Sequence, residues 1–368
     1  MEVTCPHQCG HTRQPTQGAR PRDMTDASRG KIHLAGLDFV RVLAAFGVVV
    51  MHSNFGLRAP MTHAAEIFSN AFVFAVPFFL AASLYFRAER GTQPVGDLCD
   101  RLKRLMVPYF VWSIIYLAAH GAKLLLIGQE GEFSRFVSAI PGHLLCGSAA
   151  VQLYFLPLLA VGTVVLFFIS LWLSRWPVSG IVGGLVIAMV VSAVMESNPS
   201  VSPPGPVWRT TINNFVIWTG RTLPMAVAAL LVARLFSKER LATLPKWTMA
   251  IMVFGVVLPQ VWGLSSLPPS FWDIGIGFGW FFIGCVASQW LPHTAGLKSL
   301  GNAAGGIFLL HHLVVEVMQT AIEKGLPGWA EITSLPMLLT ISLTAFFTSY
   351  LIVNQASKYP SIGRFLIL

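Results

Sequence analysis

Ten apolar stretches, each near twenty residues, divide this chain, and most of its charged residues fall between them. They run 34–55, 64–86, 105–127, 149–173, 178–195, 211–233, 247–264, 272–290, 303–322 and 335–355. Crossing roughly 30 Å of hydrocarbon takes about 20 apolar residues in a helix. Inside lipid, a helix satisfies its backbone polar groups without outside partners. The pattern therefore predicts an all-α integral membrane protein with about ten transmembrane helices. Composition agrees: 54% of residues are hydrophobic and 11% charged, against roughly 25% charged in a soluble domain. The stretch at 178–195 is the shortest, and Pro259 interrupts 247–264.

The net charge of +9 would suggest nucleic acid in a soluble chain. Here the basic residues sit in short connections, so no nucleic-acid partner is expected. Alternate connections differ sharply: one side of the predicted bundle carries 18 Lys and Arg, the other 6. By the positive-inside rule the richer side is cytoplasmic, which puts both termini there. Trp172, Trp176, Trp247, Trp290 and Trp329 fall near span ends, as interface aromatics do. Residues 1–32 read as a disordered tail, 33–357 as the membrane domain and 358–368 as a short cytoplasmic tail. Cys5, His7, Cys9 and His11 alternate in a spacing that fits no common zinc site, so no metal is expected. Cys99, Cys146 and Cys285, in or beside apolar spans, read as small buried residues.

The first stretch is unusual. LDFVRVLAAFGVVVMH (37–52) contains Asp38, Arg41 and His52. On a helix, eleven residues rise about 16 Å and return to nearly the same face. Arg41 and His52 thus share a stripe, with Asp38 one turn before Arg41 and in position to pair with it. Ionisable groups at membrane depth usually face a protein interior or a wet cavity. Arg41 as an interfacial anchor and His52 at the far surface is the plainer reading, and spacing alone does not choose.

The same stretch resembles the first-helix signature of acyltransferase family three: Leu-Asp, an arginine, ten residues, then a histidine. Further motifs follow in the family's order. VPFFLAASLYF (76–86) supplies Pro77, Phe79 and Ser83, with Leu84 in place of the usual glycine. RLKRLMVPYF (101–110) supplies Arg101 and Arg104 followed by Pro108. LYFL (153–156) has Tyr154 for the usual tryptophan, after Gln152 where a histidine is common. GIFLLHH (306–312) has Phe308 in a tyrosine's place, before His311. The resemblance covers nearly all of the chain after residue 33.

The resemblance implies an O-acyltransferase whose helices enclose a polar acyl-CoA channel. The donor is acetyl-CoA or another acyl-CoA, with no permanently bound cofactor. The acceptor is a sugar hydroxyl of a cell-surface or exported polysaccharide, or of its glycolipid precursor. It also implies a bacterial inner-membrane location, the lipid bilayer as surroundings, and polysaccharide-assembly proteins as neighbours. Arg101 and Arg104 suit the CoA phosphates, because guanidinium offers forked donors and a permanent charge. Arg41, positioned by Asp38, would hold the donor near the cytoplasmic surface, and His52 would act at the thioester. His52 is the catalytic candidate, either as general base or as the carrier of a transient acyl group. His311 is the second candidate, lining the acceptor path or polarising the thioester. His312 and Glu316 follow on the same helix, and an intramembrane carboxylate needs a partner.

DIGIGFGW (273–280) superficially resembles a nucleotide loop, but no strand precedes it. Gly275 and Gly279 read instead as a close helix contact. A transporter of a saccharide or lipid intermediate is the rival from another class. Its usual inverted repeats with broken helices are not evident. A non-catalytic scaffold is the second rival.

Overall fold

The computed structural model describes residues 33–54, 59–127, 130–197, 207–261, 269–326, 328 and 331–359. Cys5 to His11, Trp329, and the tails beyond 33 and 359 lie outside them. Among the described residues the regular structure is helical, apart from an isolated bridge between Met61 and Thr333. The helices are α1 (Ala35–His52), α2 (His63–Asn70), α3 (Ala75–Ala88), α4 (Val95–Ile127), α5 (Glu130–Cys146), α6 (Phe155–Leu173), α7 (Val178–Ser197), α8 (Val207–Leu235), α9 (Lys238–Ala242), α10 (Trp247–Met252), α11 (Leu258–Val261), α12 (Pro269–Ala287), α13 (Ala295–Gly325) and α14 (Leu335–Ala356).

Among the described residues, eight helical segments are long and apolar enough to cross a membrane: Ala35–His52, His63–Ala88, Val95–Leu125, Gly131–Leu173, Val178–Met195, Arg209–Leu235, Ala295–Gly325 and Leu335–Ala356. Two shorter apolar helices, Trp247–Gln260 and Phe271–Ala287, fall on the remaining expected stretches. The 247–264 stretch breaks into α10, a π-helical turn (Val253–Val257) and α11. Pro259 has no N–H to return to the carbonyl four residues earlier, which accounts for the disturbed ladder. The 64–86 stretch is likewise two helices, separated by a turn at residues 71–74. Gln260 satisfies that break. Its Nε2 donates to the carbonyls of Asn70 and Ala71, and its Oε1 accepts from Trp280 Nε1.

The spacing did not predict α5. Its sequence, EGEFSRFVSAIPGHLLC, is too polar and short to read as a span. Tyr109 of α4 holds it, donating to the Leu144 carbonyl at 2.6 Å. Helix α4 starts ten residues before the expected span because its charged first turns remain helical while lying outside the apolar stretch. Cys99 is exposed there for the same reason, contrary to its reading as buried. Cys146 is half-buried and Cys285 buried. Trp172, Trp176, Trp247 and Trp290 are all exposed.

Helix α1 is the central element, packed against α3, α12, α13 and α14. It nearly touches α12 backbone to backbone. A Cβ on Gly36 would collide with the Gly284 carbonyl and the Ser288 amide, and the Gly36 N–H donates to Ser288 Oγ at 2.9 Å. Two turns earlier on α12, Gly277 fits against the Pro77 carbonyl of α3. The expected pair of small residues is therefore corrected. Gly279 does pack against a neighbouring helical segment, at Val256, but Gly275 has open space around it, and Gly277 and Gly284 make the further close contacts. Gly36→Val is expected to lower the thermal midpoint of the detergent-purified protein by several degrees, since overpacking costs about 1–3 kcal/mol. Gly275→Ala should leave the midpoint unchanged or raise it slightly. Size-exclusion chromatography after stepped heating reads both.

Candidate active site

Four of the motifs singled out in the sequence converge on one cleft. Phe79 and Ser83 come from α3, Arg101, Arg104 and Pro108 from α4, Phe155 from α6 and Phe308 from α13. The cleft has a volume of about 710 Å³. Lys103 also lines it but is exposed, and faces Asp100 at 4.0 Å. Arg101 and Arg104 have no carboxylate partner among the described residues. Arg104 Nε donates only to the Asp100 carbonyl, at 3.4 Å. Arg87, Arg90 and Arg104 lie close enough to Arg101 to repel it electrostatically. The mouth thus concentrates uncompensated guanidinium charge, a fit for a polyanion.

A second cavity, of about 260 Å³, contains His52. It shares two walls with the cleft, Phe155 and Phe308. Their rings meet edge to face with centroids 5.4 Å apart. The interior is therefore a basic cleft and a histidine cavity on either side of an aromatic pair.

His52, the last residue of α1, meets two imidazoles of α13. Its ring centroid lies 5.4 Å from that of His311 and 5.5 Å from that of His312. His311 is completely buried. Its Nδ1 lies 3.1 Å from the Ile307 carbonyl, which can only accept. That contact fixes the tautomer: a neutral His311 carries its proton on Nδ1 and leaves Nε2 as a lone pair. No protein group satisfies that Nε2, nor Nδ1 of His312. The Tyr116 hydroxyl, from α4, donates to the Leu309 carbonyl at 2.8 Å and accepts from the Leu313 N–H at 3.3 Å. It inserts into the α13 ladder at the turn that holds both histidines. Such insertions bend helices and here fix the histidines' direction.

Among the described residues, three ion pairs hold charges that lie within the apolar stretches. Arg41 Nη1 donates to Asp38 Oδ1 at 3.0 Å, the spacing's expected pair. Asp38 is buried against Gly301 of α13, and the Arg41 guanidinium lies 5.7 Å from the Phe86 ring centroid. Arg41 does not line either cavity. Glu316 finds the partner it needs in Lys123 of α4, at 3.0 Å. Arg221 of α8 and Asp273 of α12 pair at 2.7 Å in the wall of the histidine cavity. Sequence reasoning assigned neither Arg221 nor Asp273 to the site, and it missed Tyr116. The available signal was two opposite charges inside different apolar stretches. Among the described residues, no cluster of His, Cys, Asp and Glu could hold a metal ion.

A family model described as an acyltransferase domain matches residues 34–354, the whole helical unit. The chain belongs to the acyltransferase-3 family. No curated protein and no solved structure gives a significant match. The family makes this multi-pass membrane protein an acyltransferase.

The Lys123–Glu316 pair yields a test of the histidine turn. Lys123→Gln is expected to lower the thermal midpoint, because it leaves a carboxylate without its cation. Adding Glu316→Gln should restore at least half of the loss. A double-mutant cycle of thermal midpoints measures this coupling.

Proposed function

We propose that this acyltransferase takes its acyl group, acetyl in the simplest case, from acyl-CoA at the basic cleft. It delivers that group to a hydroxyl of a sugar in a cell-surface or exported polysaccharide, or in its lipid-linked precursor. The observation that carries this reading is the juxtaposition of unpaired Arg101 and Arg104 with His52, across a single aromatic pair. The CoA phosphates would sit at the two guanidinium groups, outside the apolar part of α4. The pantetheine arm, long and thin, would run along Ser83 and Leu159 towards Phe155 and Phe308. Arg41, held by Asp38, adds a fixed cation at the same end of the bundle. By the positive-inside bias that end, with both termini, would face the cytoplasm, and the membrane would be a bacterial inner membrane.

The chemistry then follows from His52. The acceptor hydroxyl attacks the thioester carbonyl while His52 removes its proton. The new C–O bond forms, the C–S bond breaks, and the departing thiolate takes the proton back as the CoA thiol. His311, whose Nε2 is free to accept, would orient His52 by receiving its other N–H. A route through an acyl group on His52 uses the same residues in two steps.

Acetyl-CoA-dependent release of CoA by the purified protein tests the proposal. His52→Ala is expected to lower kcat by about 10²–10⁴-fold, the usual worth of a positioned proton acceptor, with little change in KM for acetyl-CoA. Arg101→Gln and Arg104→Gln are each expected to raise that KM roughly tenfold or more, since a charged hydrogen bond contributes about 1.5–3 kcal/mol. Wild-type protein that releases no CoA above background with any glycan acceptor would count for transport instead.

A further inference from the structure

The histidine cavity has a polar wall that the donor does not need. Gln152, Tyr154, Arg221 and Asp273 line it together with the aromatic pair. Gln152 is 1% exposed, yet among the described residues neither its Oε1 nor its Nε2 has a hydrogen-bond partner. The Tyr116 hydroxyl approaches it but is already committed to the α13 backbone. A buried amide without partners costs free energy, and one aimed into a cavity is set for a ligand. Arg221 and Asp273 neutralise each other at 2.7 Å, so the wall carries no net charge. It nevertheless offers donors and acceptors side by side: guanidinium N–H, carboxylate oxygen, amide and phenol.

We propose that this wall is the acceptor subsite, and that it selects a neutral ligand with several adjacent hydroxyls, one hexose ring in size. The proposal rests on the acyl-transfer reading above. The wall's chemistry gives the class. An anion would find Arg221 already paired with a carboxylate, and an apolar alcohol would leave Gln152 unsatisfied. A vicinal diol matches both edges of the ion pair, with one oxygen accepting from Arg221 and one hydroxyl donating to Asp273. A further hydroxyl can both accept from Gln152 and donate to it. The volume of about 260 Å³ lies just below the roughly 300–1,000 Å³ of sites that enclose drug-sized ligands, so a single ring suits it. Because the basic cleft lies beyond Phe155 and Phe308, donor and acceptor approach His52 from opposite sides.

The test uses the full-length protein in detergent micelles and follows CoA release from acetyl-CoA. The probes are neutral methyl hexosides of gluco, galacto and manno configuration, methyl glucuronoside as the anionic analogue, and n-octanol as an apolar alcohol. At least one neutral hexoside is expected to accelerate release. Gln152→Leu should raise the KM for that hexoside at least tenfold, while the KM for acetyl-CoA stays within twofold. Asp273→Asn should move the glucuronoside-to-hexoside preference at least tenfold towards the anion, because Arg221 loses its carboxylate. That gain cannot come from misfolding. Hexoside-stimulated release with wild-type KM and preference in both variants would overturn the subsite while leaving acyl transfer standing. So would octanol acting as the better acceptor, or release by water alone that no hexoside accelerates. Absence of any CoA release from wild-type protein would remove the acyl-transfer reading and the subsite together.

Discussion

An ionisable side chain inside hydrocarbon is tolerated when protein supplies its partner, and this bundle is organised around that requirement. Lys123–Glu316 joins α4 to α13, and Arg221–Asp273 joins α8 to α12. Asp38–Arg41 lies within α1, but Asp38 is buried against α13. Each pair therefore fixes a helix that contributes to the two cavities. The three imidazoles are the exception. Two of their nitrogens, His311 Nε2 and His312 Nδ1, are buried without partners. With the Gln152 amide, these unsatisfied nitrogens beside the same cavity mark a place where binding or chemistry can complete the structure.

Close packing makes this arrangement rigid. Helix α1 can present His52 to α13 only because Gly36 and Gly284 bring α1 and α12 into backbone contact. The Tyr116 hydroxyl then ties α4 to the α13 turn bearing His311 and His312. Two helices from distant parts of the chain are thus held in register at the histidines. Positioning within fractions of an ångström is what a proton transfer needs, and helices provide it better than loops.

Much of this was legible in the chain. Apolar run length gave the spans, because the bilayer imposes one thickness on every crossing. Helical period put Arg41 next to Asp38. The motif order picked out Arg101, Arg104, Phe155 and Phe308 before anything showed that they share a cleft. What was not legible depended on long-range contact. Helix α5 is amphipathic and obeys packing against α4, not membrane thickness. Arg221 and Asp273 are 52 residues apart, and no local pattern joins them. Of Gly275 and Gly279, which had the correct spacing, only Gly279 meets a neighbouring helical segment, and Gly277 and Gly284 make the other close contacts. A small-residue stripe says that a helix can be approached, and the neighbours decide from which side.

The aromatic pair constrains how the reaction can run. Phe155 and Phe308 line both cavities, so in the proposed reaction an acyl-CoA arm passing between them towards His52 would move at least one ring. Edge-to-face aromatic contacts contribute only about 0.5–1.5 kcal/mol beyond their buried area, a barrier that the binding energy of a long donor can offset. The rings would then close behind the acyl group and keep bulk water from the thioester, which favours transfer over hydrolysis. Both the direct and the two-step routes need this, but they use it differently. Direct attack requires the rings open with both substrates present. An acyl group held on His52 lets the rings close after CoA leaves and lets the acceptor arrive later. Side-chain size at Phe308 therefore distinguishes the routes. A smaller residue there exposes a stored acyl group to water and uncouples CoA release from transfer, whereas direct attack remains coupled as long as the acceptor fills its cavity.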